Sequence, residues 1–536
     1  MQPVAETSRV FIRDATGVVR AISPLNASIV SFLIINWGLG LSLAFVVTPT
    51  VLPGANMGLG FLLCIPFIIV NALAYTWMTE AMPRSGGDYV WMSRILNPAF
   101  AVGFEFMVTV FQGLFWGSTL PFTSTTIIAP GIGSIGLITG NQGLVTSSAF
   151  FGTTTGIISL GTLIVILVFV LLVMPLRQYL KIQFSLWALG LVSVFIFFVI
   201  LLSTTHQGFV SAYNNFFRLY NVTYDGVISG AKTAGFNNPG LVTLGPATLL
   251  AIPYLFFVVL GFEWPALIGG ELKTPKKTML YSSVVAGVLT ALVEGGAAFL
   301  VQDRIGSDFL NAVAYLSSSG AYTAPIPFNP FFVAMALNTN TAVDIILLAG
   351  LVAWGILLPT SGALVYTRVI MAWGFDRSMP AKLADVNERT HTPIVAIALF
   401  CLFLELGVLS TVYAGIIFAN INMTLILVVL YALVGLATAL FPYRKKTLFE
   451  LSPSKNRKIG GVPVIAIIGA LNLILFSVLA VFALTYPSLS GPVGTLAFVT
   501  MGSVFLLGIV MFFVTKLYYK RQGIDTSLAF KEIPPE

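Results

Sequence analysis

The sequence predicts an all-α polytopic membrane protein of about twelve transmembrane helices, and three observations carry that expectation. Apolar residues make up 57% of the 536-residue chain and charged residues only 9%, whereas a soluble domain carries about 25% charge. Such a chain cannot cover itself with polar surface, so lipid must solvate most of it. The apolar residues gather into stretches of bilayer length near 25–50, 57–79, 98–129, 156–174, 183–203, 247–270, 279–302, 343–373, 393–412, 415–441, 462–485 and 495–517; these are spans 1 to 12. With the N-terminus inside, 24 of the 27 Lys and Arg fall on the inner side, Arg368 and Lys516 being counted with the segments their span ends border. Positive residues stay on the cytoplasmic side, so a multi-pass cell-membrane protein with both termini cytoplasmic is expected. The net charge of +7 then calls for no nucleic-acid partner.

Taken in order, residues 1–24 are polar, with Arg9, Arg13 and Arg20, and read as a cytoplasmic tail. Span 1 is too long for the core of a cleavable signal and is expected to insert by itself. It is interrupted by Trp37-Gly38-Leu39-Gly40. Glycine permits unwinding, and unwinding leaves backbone N–H groups that lipid cannot satisfy unless they face a ligand. The freed N-terminus of the outer half-helix would attract a carboxylate; close helix packing is the competing use of the same glycines. Between spans 2 and 3, Gly86-Gly87 permits a tight bend, with Arg84 and Asp88 free to bond loop carbonyls or each other. Span 3 offers Gln112 and Trp116.

Span 6 is interrupted at Gly261-Phe262-Glu263-Trp264-Pro265. An acid within a span is expensive unless paired or protonated, so Glu263 is a proton-carrying candidate; the structural alternative is a carboxylate bonding the broken helix's own N–H groups. Glu105, Glu294 and Glu405 are further intramembrane acids. The stretch 204–246 is the longest outer loop, and its Asn221-Val222-Thr223 triplet is expected to be unmodified. Residues 303–342 suggest short interfacial helices over the mouth. In span 8 the hydroxyls of Thr360 and Ser361 ordinarily bond the preceding turn. Asn420 and Asn422 are polar candidates in span 10, and Arg444–Lys458 reads as a solvated basic loop. Cys64 and Cys401 read as small apolar residues. His206 and His391 both lie in loops, and no catalytic constellation is evident, so no enzyme is expected.

Paired Gly- or Pro-broken spans at matching positions point to a transporter's binding site. Spans 1 and 6 head two groups of five, and an odd number forces the groups to insert in opposite senses. The expected organisation is therefore a tail (1–24), a core (25–441) of inverted repeats 25–203 and 247–441, two added helices (462–517) and a tail (518–536).

Three motifs carry a family resemblance. Pro83-Arg84-Ser85-Gly86-Gly87-Asp88-Tyr89 fits P-[RK]-[AS]-G-G-x-Y. Phe257, Gly261, Phe262, Glu263, Glu271, Pro275 and Lys276 fit F-x-x-x-G-F-[DE] followed by E-x-x-x-P-[KR]. Thr367-Arg368, the turn Asp376-Arg377-Ser378-Met379-Pro380 and Thr392-Pro393 fit the junction between spans 8 and 9. Together they resemble amino-acid permeases of the amino acid–polyamine–organocation (APC) superfamily. The resemblance implies a five-plus-five inverted repeat of leucine-transporter (LeuT) type and secondary active transport of an amino acid by alternating access, as ion-coupled uptake; that no charged residue is evidently aimed at a substrate side chain makes a neutral amino acid the expected substrate. The resemblance places the substrate carboxylate at the break of Gly38, Leu39 and Gly40, and the amine at the backbone of Phe257, Val258 and Leu260 beside Gly261, with Phe257 closing over it; Asn36, Gln112 and Trp116 are read from their polarity as residues that shape the pocket. It puts the 83–89 motif at the cytoplasmic gate. Sodium-coupled relatives use positions matching the carbonyls of Ile34 and Trp37 and the hydroxyls of Thr360 and Ser361. Some proton-coupled ones use a span-5 lysine; Lys181 falls only at that span's start, which favours sodium slightly. Leu39 stands where serine is commoner, and Arg377 where glycine is. No cofactor beyond a coupling Na⁺ or H⁺ is implied. The alternatives are a polyamine or nucleobase transporter on the same fold, or a membrane subunit of a proton-pumping complex. The latter needs intramembrane Lys, Glu and His, and these spans hold no histidine.

Overall fold

The computed structural model describes residues 20–338, 340–414, 422–487 and 491–531. Within bilayer-length apolar segments every backbone N–H and C=O must be satisfied internally, and the chain answers with helices. The only paired strands among the described residues are Lys458–Ile459 and Val462–Pro463, an antiparallel hairpin outside the spans. Among the described residues, eleven helices are long and apolar enough to cross a membrane. They are Pro24–Val51, Met57–Ala81, Pro98–Thr139, Thr154–Val173, Leu176–Ser203, Pro275–Ser318, Thr341–Phe375, Ile394–Tyr413, Met423–Arg444, Val464–Thr485 and Thr495–Arg521.

Span 6 departs from the sequence expectation. Only Pro246–Val258 is α-helical; the chain then passes through turns and two 3₁₀ segments, Trp264–Leu267 and Gly269–Glu271. The interruption therefore begins at Val259, and the inner half of the predicted 247–270 span is not an α-helix. Spans 3 and 7 run past their predicted ends, to Thr139 and Ser318, through π-helical stretches at Ser124–Ile128, Leu280–Val285 and Gln302–Gly306. Span 10 begins at Met423, and Asn420 lies outside the described residues.

Burial sorts the spans. The most apolar windows of spans 1, 3 and 10 are 83%, 72% and 72% buried, whereas those of spans 5 and 12 are 28% and 22% buried. The first three therefore lie at the centre, and the last two present faces to lipid. The first and last described segments, around Ile22 and Ala529, share one end of the bundle, the terminal end. Ile22 donates to the Glu271 carbonyl and accepts from Lys273, while Arg94 reaches the Ala529 carbonyl. At the opposite, distal end lie the Ser307–Ser318 extension of span 7 and the short helix Pro330–Leu337. His206–Phe216 and Tyr224–Thr233 pack beside them, with Tyr224 stacked on Phe309 at 4.6 Å.

Candidate substrate site at two broken helices

Span 1 is two helices, Pro24–Ile35 and Trp37–Val51, joined at Asn36 with φ 61° and ψ 75°. The break lies one residue before the predicted tetrapeptide, and an asparagine makes it. Asparagine is one of the few L-residues that take the left-handed conformation cheaply. Its side chain holds the joint from both sides: Nδ2 donates to the Trp354 carbonyl at 2.6 Å, and Oδ1 accepts the Leu39 N–H at 3.0 Å. Its backbone carbonyl accepts the Gly40 N–H at 2.7 Å.

The two glycines thus sit in the first turn of the second half-helix and serve different ends. A Cβ on Gly38 would meet the Trp354 indole at 2.5 Å. That indole fills the gap between spans 1 and 5 and donates to the Gly190 carbonyl at 3.1 Å. Gly38 is a packing glycine. Gly40 opens on a cavity, and its Cβ would stand 3.1 Å from both Val258 Cγ1 and Glu294 Oε1.

In span 6 the helix stops at Val258, and Gly261 turns the chain with φ 107°. A side chain there would collide with Ile34, so the two breaks are pressed together. Ser31 Oγ adds a bond to the Phe262 carbonyl at 3.0 Å. Glu263 is fully buried, accepts the Tyr431 hydroxyl of span 10 and lies against the N–H groups of Gly261 and of Glu263 itself.

Between the breaks lies a cavity of about 60 Å³, room for a few water-sized groups. Ile34, Asn36, Leu39, Gly40, Gln112, Trp116, Phe257, Val258 and Leu260 line it, together with Phe115, Thr119, Trp264, Leu358 and Leu427, which sequence reasoning missed. Among the described residues, no charged side chain lines it. Its charge comes from the backbone. The N-terminus of Trp37–Val51 and the C-terminus of Pro246–Val258 both meet it, and helix ends carry about half a positive and half a negative charge respectively.

Several candidates lie elsewhere. Gly38 and Gly261 are packed behind the wall. The Trp37 indole donates to Thr290 Oγ1 of span 7 at 3.0 Å. Thr360 Oγ1 donates to the Ile356 carbonyl of its own helix at 2.7 Å, the ordinary use of such a hydroxyl. Ser361 lies beside the Tyr179 hydroxyl of span 5. Asn422 caps Leu425 and bonds the carbonyls of Gly491 and Pro492, away from the cavity. Glu405 accepts from Thr162 at 2.8 Å. Glu294 is wholly buried behind Gly40, and neither carboxyl oxygen has a partner among the described residues.

The terminal end beneath the cavity is sealed by the family motifs, which converge from distant parts of the chain. Asp376 receives Arg94 through two bonds, at 2.5 and 2.7 Å, and the Tyr89 hydroxyl at 2.9 Å. Arg368 clasps Glu271 at 2.6 Å. The Gly86 N–H bonds the Leu267 carbonyl at 2.8 Å. Arg84 bonds the Pro83 carbonyl, whereas Asp88 takes the Tyr75 hydroxyl rather than Arg84. Burial pushes the Asp88 carboxyl up to about 7. Arg377 has φ 50°, which explains why glycine suits that turn position. Above these pairs the rings of Trp116, Trp264, Tyr366 and Phe400 form an aromatic floor. Towards the distal end the Phe115–Phe257 pair, 5.7 Å apart and edge to face, separates the cavity from a vestibule of about 350 Å³ walled by Phe45, Phe122, Thr126 and Phe328.

A search of curated proteins finds no match. The family model for amino acid permeases, in contrast, matches residues 25–512, a stretch that contains both helix breaks and every motif at the sealed end. A multi-pass bundle with a small uncharged cavity at its two interrupted spans is what a carrier of small molecules requires, and the chain belongs to the amino acid permease family.

Proposed function

We propose that this permease takes up a neutral amino acid by ion-coupled alternating access, with its terminal end in the cytoplasm. The substrate carboxylate would lie toward the first turn of Trp37–Val51, and the amine toward the carbonyls that end Pro246–Val258. The observation that carries the reading is a cavity set between helix ends of opposite polarity whose wall holds no charged side chain. A zwitterion with a small apolar side chain matches both features. A polyamine would enter with two or more positive charges and find no carboxylate on the cavity wall, only Glu294 behind Gly40, which counts against that alternative. The orientation follows the cation asymmetry, and the broken first helix of each five-span group supports an inverted repeat.

The coupling ion is sodium in the reading built on the Ile34 and Trp37 carbonyls with Thr360 and Ser361. Proton coupling is the second reading, favoured by Glu294. An unpartnered buried carboxyl is costly as an anion, and it stands against Gly40, at the helix end proposed to receive the substrate carboxylate. Two anions would compete for that helix end, so substrate would bind with Glu294 protonated. Liposome uptake of labelled amino acids separates the readings. Uptake that follows a sodium gradient at equal pH and is lost in Thr360→Val/Ser361→Ala supports sodium. Uptake that follows only a pH gradient and is lost in Glu294→Gln supports the proton. Uptake of no amino acid under either gradient rejects the function itself.

A further inference from the structure

Outside the substrate path, the terminal end holds a second cavity, of about 550 Å³. Four cations reach it from three parts of the chain: Arg20 before span 1, Arg177 and Lys181 on the first turns of Leu176–Ser203, and Lys273 after span 6. The sequence fixes this gathering locally. Arg177 and Lys181 are four residues apart on one helix and so share a face. Arg20 and Lys273 are drawn together by the two backbone bonds between Ile22 and the 271–273 segment, at 3.0 and 3.1 Å. No acid lines the cavity, and none of the four cations forms an ion pair among the described residues. Like charges held this close destabilise one another unless an anion sits among them.

The remaining wall says which anion. Leu180 and Phe184 line the same cavity. Phe184 is 46% exposed on the face of Leu176–Ser203 that continues outward through Phe195 and Leu202, both also exposed. A basic pocket therefore opens directly onto a lipid-facing apolar surface. A soluble anion would use the cations and leave the apolar face unexplained; an acyl-chain lipid with a phosphate head uses both. We propose that this pocket binds the head group of an anionic phospholipid, its phosphate among Arg20, Arg177, Lys181 and Lys273 and its chains along the Phe184 face of span 5. Such a lipid would tie the segments flanking spans 1 and 6 to span 5 at the sealed end. The site is independent of the substrate proposed above, because lipid retention is measured without transport.

Native mass spectrometry of the purified full chain in detergent, titrated with phosphatidylglycerol or phosphatidylcholine, tests the assignment. Each cation near a membrane surface contributes about 1 kcal/mol toward an anionic lipid, about fivefold in affinity. Phosphatidylglycerol is expected to be retained at least about tenfold more tightly than phosphatidylcholine. Arg177→Gln/Lys181→Gln should remove that preference, while the charge-matched control Lys455→Gln/Lys458→Gln on the exposed loop keeps it. Excess inorganic phosphate should fail to displace the lipid. Equal retention of the two lipids, an unchanged preference in the Arg177/Lys181 variant, an equal loss in the control, or full displacement by phosphate would each overturn the site. Should the double variant not fold, the single Lys181→Gln and the salt dependence of wild-type retention decide. A weakening of severalfold between low and high salt supports the site, and no weakening rejects it.

Discussion

The two ends of the bundle are closed by different physics. At the terminal end, Arg94–Asp376 and Arg368–Glu271 are ion pairs whose side chains are at most 2% exposed, with the Tyr89 hydroxyl and a floor of aromatic rings added. At the distal end a pair of rings, Phe115 and Phe257, stands between the cavity and the vestibule. Removing one member of a buried pair costs about 3–5 kcal/mol, whereas an aromatic pair is worth about 0.5–1.5 kcal/mol beyond its buried area. The two ends therefore differ in kind, with desolvated charge pairs at one and ring contact at the other. A carrier that alternates must at some stage unmake the ionic seal as a unit.

Each of the following experiments breaks or sharpens that contrast, and the largest effect is expected at the cavity itself. Gly40→Leu puts a branched side chain where even a Cβ already stands 3.1 Å from Val258 and Glu294. Amino-acid uptake in liposomes should fall to background while the variant still purifies as a monodisperse protein; normal uptake would make Gly40 a packing residue like Gly38. Asp376→Ala leaves buried Arg94 without its carboxylate and should lower stability by about 3–5 kcal/mol in thermal melts. Asp303→Ala, which breaks the exposed pair with Arg304, should cost about 0–1 kcal/mol. Equal shifts would show that the seal is no stronger than a surface contact.

Phe257→Ala should speed substrate release by roughly the factor of ten that about 1.4 kcal/mol represents, with Phe257→Trp closer to wild type, as read by dissociation of labelled substrate. A pH signature belongs to Asp88. Its carboxyl is held up to about 7 by burial, against about 3.9 unfolded. The folded state thus binds the proton more tightly, and stability falls as pH rises from about 4 to 7. Asp88→Asn should flatten that part of the melting-temperature profile; an unchanged slope would assign it to another group.

Much of this was legible in the sequence because it is written in composition and short motifs. The all-α membrane fold, the interruption of spans 1 and 6, and eight of the cavity-lining candidates followed from apolar run length, broken helices and family spacing, whereas eleven bilayer-length helices rather than twelve are found among the described residues. Other features needed three dimensions. Asn36 looks like an ordinary polar residue in a helix until the Trp354 carbonyl and the Leu39 N–H are found on its amide. Gly38 and Gly40 are indistinguishable in sequence, yet one faces an indole and the other a cavity. The partners Arg94 and Asp376 lie 282 residues apart, so nothing local in the sequence shows the pairing. The inner part of span 6 is apolar enough to read as helix, and Gly261 at φ 107° forbids the continuation that hydropathy suggests.

The central claim, that the cavity between the two breaks is where substrate sits, is tested most directly by protection from chemical labelling. Thr119 lines the cavity on its distal side, and the native Cys64 and Cys401 are both buried. In a Thr119→Cys variant, the rate of modification by a small water-soluble thiol reagent is measured alone, with each neutral amino acid in turn, and with a polyamine. The account predicts that at least one small neutral amino acid slows the reaction by about tenfold or more, a bound population above about 90%, while the polyamine has no effect. Labelling that no amino acid slows, in a protein that still transports one, would contradict it.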